Sequence, residues 1–136
     1  MDLGLPLLDL LDDDECLRLL GQEAVGRVGL SAGALPVVMP VNFVLDGRRA
    51  IFATDPGLKL AAARDRAVAC LEVDGYGRMD HTGWSVLATG RLRELEGQDA
   101  HDAARLPLGP WAIAGVPQHY VELGIELLSG RRINRP

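Results

Sequence analysis

Residues 35–54, LPVVMPVNFVLDGRRAIFAT, contain two apolar runs joined at Asp46-Gly47. An Asp-Gly pair between such runs suits the positive backbone angles of a two-residue hairpin, so the stretch predicts paired antiparallel strands. The first run is apolar nearly throughout, which predicts cover on both of its faces. Pro36 and Pro40 cannot donate to a strand ladder, so they mark an edge, a bulge or an irregular stretch.

Four further runs have strand character. AVGRVGLSA (residues 24–32) alternates and closes on a turn from Ser31 to Ala34, and AVACLEVDG (67–75) ends in a Gly-Tyr-Gly loop. TGWSVLATGRLREL (82–95) is a long strand, and HYVELGIELLSGRRI (119–133) reads as one or two more. Helices are expected at DDDECLRLLGQ (12–22), where Asp12 and Glu15 have the spacing of a capping box, in the alanine-rich run after Pro56-Gly57, and at GQDAHDAARL (97–106). Six short, mostly adjacent strands with helices pushed to the ends predict a mainly β protein, a small, partly open antiparallel barrel. The 136 residues amount to one domain, 1–136, and with 48% hydrophobic but only 4% aromatic residues its core must be aliphatic.

Charge and composition exclude several roles. A net charge of -5 opposes nucleic acid and anionic membrane surfaces, both of which are bound by lysine and arginine. No apolar run approaches the ~20 residues that span a bilayer, and the acidic N-terminus lacks the features of a secretory signal, so the expectation is a cytoplasmic protein. Cys16 and Cys70 are too few for a disulfide framework or a zinc site and are expected to be small buried hydrophobes. His81, His101 and His119 lack metal-ligand spacing and are expected at the surface.

The stretch IFATDPGLKLAAARD (51–65) passes from strand to helix through Thr54, Asp55, Pro56 and Gly57, with Lys59 in the first helical turn. A cation there opposes the helix dipole unless an anion is bound. Two readings stand: a corner with a solvent-facing lysine, or a phosphate site using the hydroxyl, open glycine backbone and ammonium.

The order and spacing of MPVNFVLDG, IFAT, GLKL, ACLEVD and TGWSVLATG resemble the pyridoxamine 5'-phosphate oxidase-like flavin-binding split-barrel family, in its small bacterial branch. The resemblance runs from about Glu15 to Ile133. It implies a six-stranded antiparallel split barrel of the FMN-binding type, a homodimer, and FMN lying between the two barrels. It places Pro40, Val41 and Asn42 along the flavin ring and makes Thr54 and Lys59 the phosphate ligands. Trp84 and Ser85 close over the cofactor, from the same chain or the partner, and Arg132 in SGRRI reaches it. The extra basic residues that grip a vitamin B6 phosphate in the oxidase are not found here, which argues against that substrate. Some relatives hold a deazaflavin with an acidic tail, for which Arg48, Arg49, Arg64 and Arg66 offer a basic strip. Trp111 either lines the substrate side or belongs to a structural lid. The implied function is a flavin-dependent oxidoreductase acting on a small molecule; a deazaflavin-dependent reductase and a non-catalytic flavin or small-ligand binder are the alternatives. No catalytic residue is named, because a flavin brings its own redox chemistry.

Overall fold

The computed structural model describes residues 7–109 and 115–134. In chain order the elements are β1 (Leu7–Leu11), α1 (Asp13–Gly21), β2 (Val25–Ala32), β3 (Leu35–Asp46), β4 (Arg49–Thr54), α2 (Leu58–Arg64), β5 (Val68–Tyr76), β6 (Gly83–Glu94), α3 (Gly97–Ala103) and β7 (His119–Asn134). All pairings are antiparallel. The sheet order is β1-β7-β4-β3-β2-β5-β6, and β7 also pairs with β6. Six strands therefore close into a ring, as the sequence predicts. β1 is a seventh that the sequence reading missed; it pairs with residues 130–134 of β7, beyond the end of the β4 ladder.

The ring is tied at β7, a single sixteen-residue strand rather than two. Its ladder with β6 slips between Thr89 and Gly90. At this slip the backbones nearly touch: a Cβ on Gly90 would lie 1.7 Å from the carbonyl oxygen of Gly124. A side chain cannot be accommodated there without moving a strand.

The hairpin from β3 to β4 turns at Gly47-Arg48, where Gly47 has φ +60 and Asp46 pairs with Arg49. The β3–β4 ladder begins only at Phe43, so Pro36 and Pro40 lie in a half of β3 that pairs with β2 alone. That half is an open edge, where a missing N–H costs little. It is not covered on both faces as its apolar sequence predicts, since Leu35 and Val38 are 70% and 69% exposed.

The interior is aliphatic. Leu20 from α1 joins Leu71, Leu92 and Leu123 from the strands, all fully buried, and each such side chain contributes roughly 1.5–3 kcal/mol relative to exposure. α1 lies on this core through Cys16, Leu19 and Leu20. Its cap is half of the predicted box: the Asp12 carboxylate accepts the Glu15 N–H at 2.9 Å, while the Glu15 carboxylate turns to arginines instead. A second small cluster of Ile51, Leu95, Ala103 and Leu108 seats α3 on the other face of β4. Cys16 is buried as expected, whereas Cys70 is half-buried.

Gly90→Ala is expected to destabilise the fold by more than about 2 kcal/mol, because the obstacle is backbone rather than a movable side chain. Chemical denaturation against the parent measures it, and a change under about 0.5 kcal/mol would contradict the described approach of β6 and β7.

Candidate functional site

Strand pleat decides which of the candidate residues can meet. Alternate residues of β3 point to opposite faces, so Val41 and Phe43 are buried in the core while Pro40 and Asn42 face outward. Val41 therefore offers only backbone to a ligand outside the barrel. Asn42 lies under the loop after α3: a Cβ on Gly109, where φ is +51, would lie 2.6 Å from its Nδ2. Only glycine suits a loop that close to the amide, a contact that strand patterning did not reveal.

Thr54 ends β4 on the inner face and is 3% exposed. Its hydroxyl donates to the Asp55 carbonyl at 2.9 Å, so that bond must break before the hydrogen can serve a phosphate. Lys59 is half-buried, with its Nζ 3.8 Å from Met39 Sδ, and it forms no ion pair among the described residues. Burial pulls its pKa below the ordinary lysine value, and the nearby Asp55 carboxylate only partly opposes this. Met39 alternates with Pro40 and Asn42 and packs against the core, so the lysine meets that strand segment from its inner face. Gly57 leaves open space beside the helix start, where a Cβ would meet nothing within 4 Å. A desolvated ammonium with the Asp55 carboxylate near it but no ion pair among the described residues, next to open backbone, suits a phosphate.

Trp84 and Ser85 stand three strands from β3, across β2 and β5. Trp84 points inward, packs on the core and covers Gly75, where a Cβ would lie 2.7 Å from the indole nitrogen. Ser85 points outward, in register with Asp74 on one side and Arg131 on the other. Both help line a cavity of about 410 Å³ with Leu8, Glu72, Tyr76 and Arg131. Arg132 points inward and donates to the Glu15 carboxylate at 2.6 Å, tying β7 to α1. The structure thus places Lys59 against β3 at Met39, on the face opposite Pro40 and Asn42, and sets Trp84 and Ser85 three strands away. Trp111 lies outside the described residues.

The chain belongs to the pyridoxamine 5'-phosphate oxidase family. The family model of that description matches residues 12–132. The uncharacterized protein Rv0080 of Mycobacterium tuberculosis is 34% identical over 130 residues, 90% of this chain and 84% of that one. A solved FAD binding protein from Mycobacterium smegmatis is 30% identical, with TM-score 0.74, covering 92% of this chain and 97% of its own. An FAD-binding protein from Mesorhizobium loti, at 22% identity, shares the fold with TM-score 0.78, covering 96% and 99%.

Within this family member the basic strip is largely neutralised. Arg48 meets Asp13 at 3.5 Å, Arg49 bridges Asp46 and Glu122, and Arg64 meets Glu94 at 2.9 Å. His119 is not a bare surface residue: its Nδ1 lies 3.1 Å from the same Glu94. It pairs across the sheet with Thr54, a proximity visible only once the register of β4 and β7 is known. His101 is exposed, and His81, also exposed, meets the Tyr76 hydroxyl at 2.8 Å. No metal-binding group of three ligating side chains occurs among the described residues. Among them, too, no helix is long and apolar enough to cross a membrane.

The Arg18 and Arg132 hydrogen bonds hold the Glu15 carboxyl at about 2. Because the folded pKa lies below the unfolded one, the stabilisation is present above the ordinary carboxylate value and is lost as pH falls toward about 2. Glu15→Gln is therefore expected to melt lower than the parent near neutral pH, with a gap that narrows between about pH 5 and about pH 3. Thermal melts across that range check it, and a gap that stays constant would contradict the role given to Glu15.

Proposed function

We propose that this protein is a flavin-nucleotide oxidoreductase acting on a small molecule, with FMN held between two copies of the chain. The observation that carries the reading is Lys59, a half-buried ammonium without an ion-pair partner among the described residues. An unpaired charge of this kind is costly unless a ligand supplies the opposite sign. FMN presents a phosphate, and an FAD binding relative at 30% identity supports a flavin nucleotide in this fold.

The strand pleat supports the second copy in this reading. Lys59 contacts Met39, whose neighbours in β3 alternate with it, while Ser85 lies on the outer face three strands away. One ligand reaches both in a single chain only by passing around the sheet. If β3 and Lys59 of one copy face the cavity that Trp84 and Ser85 line in another, the same residues surround one ligand. The outer face also leaves Leu10, Val38 and Leu127 exposed, which favours cover by protein.

A bound flavin supplies the hydride and one-electron chemistry. The chain's own residues bind and orient: Lys59 neutralises the phosphate, the β3 backbone and Asn42 meet the polar ring edge, and Trp84 keeps water from one side. Thr54 joins the phosphate only after releasing the Asp55 carbonyl. Vitamin B6 phosphate is not the expected substrate, since the sequence lacks the extra basic residues that grip it in the oxidase the chain resembles.

The purified protein is expected to be yellow and to release FMN, and to bind FMN at least about tenfold more tightly than riboflavin, because charge-assisted hydrogen bonds to the phosphate contribute ~1.5–3 kcal/mol each. Equal affinities would refute the phosphate assignment. Lys59→Ala should leave the cofactor-free melting temperature unchanged or slightly raised, since a desolvated charge is removed, yet weaken FMN by ~2–5 kcal/mol. Affinity within about threefold of the parent would make Lys59 a corner residue only. Steady oxidation of a reduced nicotinamide with an electron acceptor present tests catalysis; a bound flavin that no donor reduces would leave a binding protein.

A further inference from the structure

The outer face of the sheet has a regular layout that follows from the strand registers. One row across it reads Ser129 (β7), Leu87 (β6), Glu72 (β5), Arg27 (β2) and Pro40 (β3). The row beside it reads Leu10 (β1), Arg131 (β7), Ser85 (β6) and Asp74 (β5). On the far side lie Leu127, Thr89, Cys70, Gly29 and Val38. Two carboxylates, Glu72 and Asp74, thus stand side by side in the middle of a face whose other large side chains are chiefly leucine, valine and proline.

Their charge is only half balanced. A single Arg27 nitrogen serves both, at 3.2 Å from Glu72 and 3.3 Å from Asp74. Arg131, two strands over, lines the same cavity but makes no ion pair among the described residues. β3 presents Pro40 to this group and β6 presents Leu87 and Ser85, so neither adds a charge. Placing a second copy over the face removes water from two carboxylates that share one ion-pairing guanidinium nitrogen, and does so in both copies at once. Either the contact tolerates that charge or Glu72 takes up a proton.

We propose that Glu72 is a proton-linked switch in the assembly of this protein: closing the second copy over the sheet face protonates Glu72, so the dimer tightens as pH falls through neutrality. The proposal rests on the dimer reading given above. Already in the single chain, burial and the hydrogen bond with Asp74 raise the Glu72 carboxyl to about 7, with Arg27 pulling the other way. The sign follows from linkage. If the covered state has the higher pKa, it binds more protons than the separated chains, and the added association is full below the pKa of the open face and lost as pH rises from there through the pKa of the covered state. Because the flavin lies between the copies, its retention follows the same dependence.

Sedimentation of the full-length protein in dilution series at about pH 6 and about pH 8, for the parent and for Glu72→Gln, tests this directly. The parent's dissociation constant is expected to rise at least about fivefold from the lower to the higher pH, and that of Glu72→Gln to change less than about twofold. A pH-independent parent, a parent that tightens at high pH through Arg131 of the opposing copy, or a variant with the parent's slope would each overturn the switch. A monomer at every pH would instead overturn the dimer reading itself. Where the dimer is too tight to dilute apart, exchange of subunits between labelled and unlabelled protein gives the same discrimination: faster at the higher pH for the parent only.

Discussion

The structure depends on β7 being bonded along both of its edges. Its first half closes the ring between β4 and β6, and its second half continues between β6 and the added strand β1. No other strand reaches as far, and the slip at Gly90 is what lets one strand serve two neighbours of different length. At that slip the backbones approach so closely that glycine is obligatory. Arg132 then anchors the distal half of β7 to α1 through Glu15. Closure of the barrel and seating of its helix are therefore one mechanical unit.

The functional consequences follow from closure combined with pleat. A closed ring sorts side chains into an inside and an outside, and the candidate residues fall on both. Val41, Thr54 and Trp84 point inward, Pro40, Asn42 and Ser85 point outward, and Lys59 reaches the rim beside Met39. One chain does not gather these residues around one cavity. In the proposed dimer two copies placed face to face do, and the outer face that would then meet the partner carries the Glu72–Asp74 pair, which shares Arg27.

Much of this was legible in the sequence because the signals are local. Asp46-Gly47 marked a two-residue hairpin, alternation marked β2 and β5, and the prolines of β3 marked an edge, a bulge or an irregular stretch, of which the structure shows the edge. The family resemblance placed the chain in its fold from short motifs in order. What was not legible is non-local. Leu8 and Leu10 gave too short a run to reveal β1, which exists because β7 has an edge left over. The apolar run of β3 read as doubly covered, whereas Val38 faces outward beside Gly29, since periodicity cannot tell a core from an interface. His119 read as a surface residue because its partners, Glu94 and Thr54, are distant in sequence. The resemblance implies Arg132 as a cofactor ligand, and its bond to Glu15 was legible only from the packing of α1.

The central claim is that each flavin site draws Lys59 from one copy and Trp84 from the other. Subunit complementation tests it most directly. Lys59→Ala and Trp84→Leu homodimers should each bind little FMN, while a purified mixed dimer carries both substitutions in one site and neither in the other. The account predicts that the mixed dimer binds FMN at one site with the parental affinity. If Lys59 and Trp84 of the same chain form the site, every site in the mixed dimer is damaged, and a mixed dimer that binds no better than its parents would contradict the account.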